Sequence, residues 1–393
     1  MSHLNTHNTC QLENLVLCHE TAIQTRLDTL ISSWPLYASV DIRYAGFKIA
    51  VVDHNLFPAG FNNLASEETA YYTQCMRSVL ADRIQGKSIL LLCEYHTRNT
   101  WYLENIYRLR ALIQDSGYTV TLSMIGATTT TVITAENKPL LIHAFTPALA
   151  NAHDTVILNN DLTTGIPDSF ASVRVPIIPN PDFGWHRRRK SAYFKAFDAL
   201  LGHLLADTDC DPWLYSTLTD NISVDINLES DRELLYAKTT QLFDAIAQKY
   251  DAHGISEKPF VFIKSDQGTY GMGIHAIESP EAVLTLNRKH RNTLSTGKSA
   301  HKITQFLLQE GVPSVQKHGN KTAEACFYML GRHTLGGFYR LHDQNSRGNL
   351  NKHGMSFSGL TSESMPSPVY NLHALLATIA NGAMRVVEFG GPA

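Results

Sequence analysis

The sequence has few cysteines, no long apolar run and no large excess of either charge. Six cysteines occur among 393 residues, and none belongs to a CxxC pair. Their spacing fits neither a zinc ribbon nor a disulfide framework, so we expect reduced thiols. The longest apolar runs, such as residues 89–93, are far too short to cross a bilayer. No basic segment followed by an apolar one opens the sequence, so we expect a cytoplasmic protein without a membrane partner.

Positive charge is not in excess either. The sequence has 33 Lys and Arg against 36 Asp and Glu, a formal net charge of −3. Binding to nucleic acid without sequence preference needs many cations to neutralise phosphates, so we expect no nucleic-acid partner. The 18 histidines are scattered and form no HExxH motif, which disfavours zinc. The remaining composition is that of an ordinary globular protein of two or three domains, and an oligomer is compatible with it.

The first third of the sequence alternates strand and helix patterns. Residues 42–52, 88–93 and 119–125 read as strands. A helical stripe of apolar residues covers 102–113 and stops at Gly117. Strands that alternate with helices predict βαβ units and a largely parallel sheet.

The organisation changes after this part. Prolines are frequent in residues 167–181 and favour a connection between domains. The last third contains strand-like runs separated by glycine turns, which is typical of an antiparallel sheet. We therefore predict an α/β fold with an N-terminal α/β domain (1–180), a helical part (181–258) and an antiparallel-sheet domain (259–393).

The segment 259–274 carries the clearest chemical signal. An apolar strand ends in Lys264, a loop with Gly268, Gly271 and Gly273 follows, and a second strand begins at Ile274. Glycines let the backbone approach a ligand closely, and successive N–H groups can face phosphate oxygens. The lysine that leaves the strand can place its ammonium group on the same phosphates.

Three nucleotide-binding motifs do not fit this segment. A P-loop needs GxxxxGK[ST], which is absent from the sequence, and a Rossmann fingerprint needs GxGxxG before a helix. A protein kinase places its glycine loop before the lysine. The order strand, lysine, glycine loop, strand is the arrangement of ATP-grasp enzymes, and the alternative is a simple β-hairpin with a flexible turn.

Two features further along the sequence favour phosphoryl transfer. The turn at residues 309–312 ends a strand, and its backbone groups could contact an adenine edge. Arg340 is then followed closely by Asn349 and Asn351. Arginine binds phosphate or carboxylate through two parallel hydrogen bonds, and asparagine offers an oxygen to a metal or a substrate.

Several longer strings resemble the proteobacterial glutamate–cysteine ligase family that has an ATP-grasp, glutathione-synthetase-like fold. They are VDIRYAGFKIAVVDHNLFPAGFNNL (40–64), EKPFVFIKSDQGTYGMGI (257–274), LNRKHRN (286–292), QEGV (309–312), GGFYR (336–340) and GNLN (348–351). The resemblance covers nearly the whole chain from about residue 39. It implies a pre-ATP-grasp sheet domain followed by a two-part ATP-binding unit. It also implies that ATP, glutamate and cysteine are converted to γ-glutamylcysteine, ADP and phosphate, with Mg²⁺ as cofactor.

The resemblance implies roles for residues near ATP. Lys264 should contact the α- or β-phosphate, and Arg340 should stabilise the transferred phosphoryl group. Lys190, with Lys195 as the alternative, should be a second ATP-contacting lysine. The remaining expected ATP-contacting residues are Gln267, Gly268, Thr269, Tyr270, Gly271, Met272, Gly273, Gln309, Glu310, Gly311, Val312 and Glu324.

The amino-acid pocket is expected in the N-terminal string, which is dense in polar groups. Arginine or lysine could hold a substrate carboxylate, and aspartate could hold an ammonium group. The expected substrate-binding residues are Asp41, Arg43, Lys48, Asp53, Asn55, Asn62, Asn63, Asn349 and Asn351. The alternative for this string is a strand followed by an asparagine-rich turn.

The magnesium ligands depart from the pattern of glutathione synthetases. Those enzymes carry an acidic residue and then Glu-x-Asn on a late strand, and this sequence has no such triplet. Glu388 is one candidate ligand. Asp343, Asn349 and Asn351 are the others.

Overall fold

The structure is a computed structural model, and it describes residues 6–268, 273–295, 302–343, 347–351 and 354–389. The helices are α1 (Thr6–Leu30), α2 (Thr69–Ala81), α3 (Thr100–Asp115), α4 (Pro147–Ala150), α5 (Lys190–Leu205), α6 (Glu229–Ala252), α7 (Arg288–Ser295) and α8 (Ser367–Phe389). Within the described ranges, no helix has both the length and the apolar character that a membrane crossing needs.

The strands form three sheets over the described residues. In chain order they are β1 (Tyr37–Tyr44), β2 (Ile49–Asn55), β3 (Ser88–Cys93), β4 (Thr119–Met124), β5 (Thr130–Ile133), β6 (Pro139–Ala144), β7 (Thr155–Asn159), β8 (Ile177–Ile178), β9 (Thr219–Ser223), β10 (Val261–Ser265), β11 (Ile274–Ile277), β12 (Gln305–Glu310), β13 (Lys317–His318), β14 (Lys321–Leu330), β15 (His333–His342) and β16 (Ser356–Leu360).

The parallel sheet has the order β5-β6-β4-β3-β7-β8, and only the β5–β6 pair is antiparallel. This confirms the predicted βαβ unit of the strands at 88–93 and 119–125, which are the parallel neighbours β3 and β4. Helix α3 follows the predicted stripe: the Asn99 side chain caps its first turn by accepting a hydrogen bond from the Tyr102 N–H. Gly117 follows the helix at a φ of 97°, a left-handed conformation that glycine adopts without steric cost.

The central sheet has the order β16-β15-β14-β1-β2, with β13 on β14, and is antiparallel. The prediction of one strand over residues 42–52 is wrong, because β1 and β2 form a hairpin there. Its turn contains Gly46 at a φ of 83°, and the Ala45 N–H donates to the Lys48 carbonyl at 2.8 Å. A left-handed residue reverses the chain at this point.

The small sheet has the order β11-β10-β12-β9 and is antiparallel, which agrees with the expectation for the last third. The limits at residues 180 and 258 remain a prediction. Strand β1, from the first predicted domain, is hydrogen-bonded to β14, from the third. Backbone hydrogen bonds therefore join two of the three predicted units directly.

Side-chain alternation gives the central sheet two different faces. Along β14, Ala323, Ala325 and Phe327 pack in a large apolar core, together with side chains of α1, α5 and α8. Because successive strand residues point to opposite sides, Glu324 and Cys326 lie on the other face. The candidate functional site lies on that second face.

Candidate functional site

The second face of the central sheet is the floor of two adjoining cavities. The lysine cavity is lined by Asp41, Arg43, Val52, Asp53, Phe262, Lys264, Ile274, Glu324, Arg340, Asn349 and Asn351. The asparagine cavity is lined by Ser39, Asn55, Phe57, Pro58, Ala59, Asn63, Glu94, Tyr102, Asn159, Asp161, Cys326, Tyr328, Phe338, Arg340, Asn351, Met355 and Phe357. Arg340 and Asn351 line both, so the cavities meet at these two residues.

A row of alternating charges crosses three strands under the lysine cavity. The Arg43 Nε on β1 donates to Glu324 Oε2 on β14 at 2.5 Å. Arg340 on β15 donates through Nη1 to the other oxygen of Glu324 and, at 3.0 Å, to Asp41 Oδ2. Burial opposes ionisation of Glu324, but the two guanidinium groups outweigh it and lower the pKa of this carboxyl. Glu324 therefore fixes both arginines at the cavity floor.

The pKa of Asp41 is shifted in the opposite direction to that of Glu324. Burial dominates and raises the pKa of Asp41, although Arg340 acts in the opposite direction. Asp41 Oδ1 is buried and has no hydrogen-bond partner among the described residues. A buried carboxylate oxygen without a partner is costly, unless a bound group completes it.

Two lysines approach the same cavity from other elements. Lys190, at the start of α5, donates to Asp53 Oδ1 at 2.5 Å. Lys264, on β10, donates to the Val52 carbonyl at 3.0 Å. Burial of Asp53 would raise its pKa, but Lys190 and Lys264 hold it at about 2. Lys195 is exposed, so the structure brings Lys190, and not Lys195, to the cavity.

Burial also changes the basicity of Lys264. Removal from water lowers its pKa to about 8, with Asp53 opposing this shift and Lys190 and Arg43 adding to it. Three cations and three carboxylates line the lysine cavity, and Lys190 adds a cation through Asp53. The bases of this lining can therefore bind an anion.

The glycine loop is described only at its ends. Gly268 and Gly273 adopt left-handed φ angles of 105° and 68°. Gln267 Nε2 donates to the Trp185 carbonyl at 3.3 Å. The predicted contacts of Thr269, Tyr270, Gly271 and Met272 lie outside the described residues.

The segment 309–312 lines neither cavity. Gln309 is buried, and its Nε2 donates to Thr217 Oγ1 at 2.9 Å. The Gly311 N–H donates to the Phe260 carbonyl at 2.8 Å. The Val312 carbonyl accepts a hydrogen bond of 3.2 Å from Arg43 Nη1, so Arg43 connects this segment to the cavity floor.

Lys48 and Glu310 do not take the predicted positions. The Lys48 side chain is 0% exposed and donates to Glu310 Oε1 at 2.8 Å, outside both cavities. Its ammonium group lies 3.8 Å from the centroid of the Trp213 ring. Glu310 Oε2 accepts hydrogen bonds from Trp213 Nε1 and the Leu218 N–H. Because the pair is fully enclosed by these partners, neither side chain can contact a substrate in this arrangement.

The predicted asparagines divide between the cavities. Asn55 and Asn63 line the asparagine cavity, whereas Asn62 lines neither and donates to Asn63 Oδ1 at 3.2 Å. Asn349 lines the lysine cavity, and its Oδ1 accepts from the Asn351 N–H at 2.9 Å.

Asp343 is exposed and lines neither cavity, so the structure does not place this predicted magnesium ligand with these asparagines. The Glu388 side chain lies outside the described residues.

Sequence reasoning missed most of the asparagine cavity. Glu94 follows β3 directly, and Asp161 follows β7 by two residues. Polar groups at the carboxyl ends of parallel strands are a recognisable signal. Cys326, Tyr328 and Phe338 alternate on β14 and β15 with core residues, so only the strand register identifies them.

The glutamate–cysteine ligase family profile matches residues 13–374. The chain belongs to the glutamate–cysteine ligase family. The match includes both cavities, every residue of the charge row, Lys264 and Lys190. The resemblance inferred from the sequence strings is therefore confirmed at the level of the family.

One solved structure agrees with this family. A crystal structure described as a candidate γ-glutamylcysteine synthetase of Methylobacillus flagellatus KT is 29% identical. The match covers 98% of this chain and 97% of that chain, with a TM-score of 0.87. A D-alanyl-alanine synthetase A of Vibrio cholerae O1 biovar eltor str. N16961 is 11% identical over 75% of this chain and 79% of that chain. Its TM-score of 0.35 is too low to support a statement about the fold. No curated protein matches the chain.

Proposed function

We propose that this ligase joins the γ-carboxylate of L-glutamate to the amine of L-cysteine at the expense of ATP. The product is γ-glutamylcysteine, which is the first intermediate of glutathione synthesis. The observation that carries the proposal is the pair of adjoining cavities that share Arg340 and Asn351. One cavity has the bases that a triphosphate needs, and the other has a mixed polar and aromatic lining suited to an amino acid.

The reaction needs an activated acid, because a carboxylate does not react with an amine at neutral pH. The γ-carboxylate oxygen attacks the terminal phosphorus of ATP, and ADP leaves. The cysteine amine then attacks the carbonyl of the γ-glutamyl phosphate, phosphate leaves, and the nitrogen loses a proton. Protein groups contribute by positioning the reactants and neutralising charge.

Lys264 and Lys190 would hold the phosphates in the lysine cavity. Residues 268–273 would close over them as a lid. Residues 309–312 line neither cavity, so a contact of their backbone with adenine would require the base to extend beyond the lysine cavity. Arg340 would stabilise charge on the transferred phosphoryl group, because it lines both cavities at the point where donor and acceptor must meet. Glu324 and Asp41 would position Arg340 through the hydrogen bonds described above.

Mg²⁺ fits the oxygen donors of the lysine cavity. Asp41 Oδ1 is a buried oxygen without a partner among the described residues, and Asn349 and Asn351 line the same cavity. Magnesium prefers oxygen ligands and commonly binds through one or two protein side chains together with substrate phosphates. When bound, the ion would supply positive charge to the phosphates.

An ATP-grasp organisation is part of the proposal. The small sheet supplies Lys264, and the central sheet faces it across the lysine cavity with Arg43, Glu324 and Arg340. A nucleotide held between two antiparallel sheets would use both. In this proposal residues 1–180 form the substrate domain, and residues 181–258 and 259–393 form the two parts of the ATP-binding unit.

The test is an assay of the purified protein with ATP, Mg²⁺, glutamate and cysteine. Mass spectrometry should detect γ-glutamylcysteine, and ADP should appear in equal amount only when both amino acids are present. Turnover with γ-glutamylcysteine and glycine in their place would indicate a glutathione-synthetase-like ligase. ATP binding without ADP release under any amine would indicate a non-catalytic ATP-binding module.

A further inference from the structure

The parallel sheet changes direction at the pair β3–β7. From β3 the chain passes through α3 to β4 on one side, and it later returns through α4 to β7 on the other side. Helix α3 packs with Ile89 and Leu91 on one face of β3, whereas Ala150 of α4 packs with Leu90 and Leu92 on the opposite face. Adjacent parallel strands whose connections leave in opposite directions form a crevice at their carboxyl ends, where ligands bind in such sheets.

Two carboxylates lie at this crevice. Glu94 is the first residue after β3, and Asp161 is the second residue after β7. Glu94 Oε1 accepts a hydrogen bond of 2.7 Å from the Asp161 N–H, which ties the two strand ends together. Both side chains line the asparagine cavity and neither lines the lysine cavity. The acids are thus separated from the predicted phosphate site.

A basic group stands where the asparagine cavity meets the lysine cavity. Arg340, the basic residue of its lining, is 9% exposed, and its Nε has no hydrogen-bond partner among the described residues. Asn55 Oδ1, also in the lining, is a buried acceptor with no partner among the described residues. The lining thus combines two carboxylates at the strand ends with an acceptor on Asn55 and a donor on Arg340 that have no partner among the described residues. Asp161 Oδ1 already accepts from the Thr163 N–H and hydroxyl, so the ammonium group would share this oxygen or use the other one.

We propose that Glu94 and Asp161 bind the α-ammonium group of the acid substrate, and that its γ-carboxylate points towards Arg340. This inference rests on the proposed function and specifies which substrate occupies the asparagine cavity. An amino acid with a second carboxylate matches this lining. Its α-ammonium group would lie against the two acids, and its distal carboxylate would lie against Arg340, where the two cavities meet. The acceptor cysteine then approaches from elsewhere.

The test compares glutamate with glutarate, which lacks only the α-amino group. Steady-state kinetics with saturating ATP, Mg²⁺ and cysteine should give kcat/KM for each acid, with γ-glutamylcysteine and glutarylcysteine identified by mass. Glu94→Gln and Asp161→Asn should lower kcat/KM for glutamate by about 10- to 100-fold, the usual effect of removing a hydrogen-bonded charge. Both variants should leave kcat/KM for glutarate within about threefold of wild type, because glutarate makes no such contact.

The matched control is Glu136→Gln, since Glu136 is a partly exposed acid of the same sheet region that lines neither cavity. This variant should leave kcat/KM unchanged for both glutamate and glutarate. Equal losses for glutamate and glutarate would overturn the inference, because they would indicate a structural role for the acids. A raised KM for cysteine, with the wild-type ratio of kcat/KM between glutamate and glutarate, would also overturn it. Glu94 and Asp161 would then bind the acceptor cysteine. A wild-type protein that makes no γ-glutamylcysteine would instead refute the proposed function itself.

Discussion

Replacing Lys264 with methionine should weaken nucleotide binding and strengthen the fold at the same time. Burial lowers the pKa of Lys264 from 10.5 to about 8. Keeping the amine protonated in the folded protein at pH 7 therefore costs on the order of 3 kcal/mol. Methionine has a similar volume and no charge, but it leaves the Val52 carbonyl without the 3.0 Å hydrogen bond, a loss of about 1 kcal/mol. The net expected gain in the free energy of unfolding is about 2 kcal/mol.

The stability gained by replacing Lys264 with methionine should decrease as the pH rises. A lysine whose folded-state pKa is lowered destabilises the fold for as long as it must carry a proton. The penalty is complete below pH 8 and disappears as the pH rises to 10.5, where the unfolded chain also loses the proton. Urea unfolding should therefore show the full difference between variant and wild type at pH 7, and a smaller one at pH 9.5.

Nucleotide affinity should change in the opposite direction. Loss of a charged hydrogen bond to phosphate should raise the Kd for ATP by about 10- to 100-fold, measured by titration calorimetry at pH 7. Lys195→Met is the matched control, because Lys195 is an exposed lysine of the neighbouring helix, and it should alter neither quantity. A Lys264→Met protein that is less stable than wild type yet binds ATP normally would refute the role of Lys264 as a phosphate ligand.

Three further expectations concern other charged groups. Lys48→Met should lower the free energy of unfolding by about 3–5 kcal/mol in urea titrations. Asp53 keeps Lys190 when Lys264 is replaced, whereas Glu310 is left buried without the cation of its ion pair. An unchanged midpoint of the urea transition would contradict this. Burial raises the pKa of Asp198 from 3.8 to about 7, so its contribution to wild-type stability should fall as the pH rises from about 4 to about 7 and then level off. Asp198→Asn should therefore raise Tm more at pH 8 than at pH 5. Equal gains at both pH values would count against that pKa. Arg340→Lys should lower kcat more than it raises the KM for ATP in steady-state assays, and the reverse ranking would exclude Arg340 from the transfer step.

The strand and lysine pattern around Lys264 was predictable because it is local. A buried strand, a polar end and a glycine turn are neighbours in the sequence, and β10 and β11 pair across that turn. The parallel sheet was predictable for a similar reason, since each strand and its helix are short segments with their own periodicity.

The polar residues of the N-terminal string were harder to separate. Asp41 and Arg43 alternate along β1 and reach the cavity floor, and the alternation alone would have predicted their common face. Lys48 follows the hairpin turn, where the alternation is interrupted, and its side chain enters the core instead. The sequence string does not reveal this turn, because the apolar residues on both sides continue the pattern of a single strand.

Glu94 and Asp161 required more than local patterns. Each follows a predictable strand, but they come together only because β7 lies next to β3. That adjacency is a property of the strand order, which depends on pairing between residues far apart in the sequence. Once the order is known, the crevice between oppositely connected strands identifies both residues.

The charge row also constrains how the protein is synthesised. Arg43, Glu324 and Arg340 come from opposite ends of the chain, and β1 finds its partner β14 only late in translation. At about 5–20 residues per second, the ribosome needs roughly 15 to 60 s between adding Arg43 and adding Arg340. During that interval the edge of β1 that later pairs with β14 has no partner, and long-range pairing of this kind folds slowly. A nascent chain of this ligase should therefore depend on protection of its first hairpin until the last third has been made.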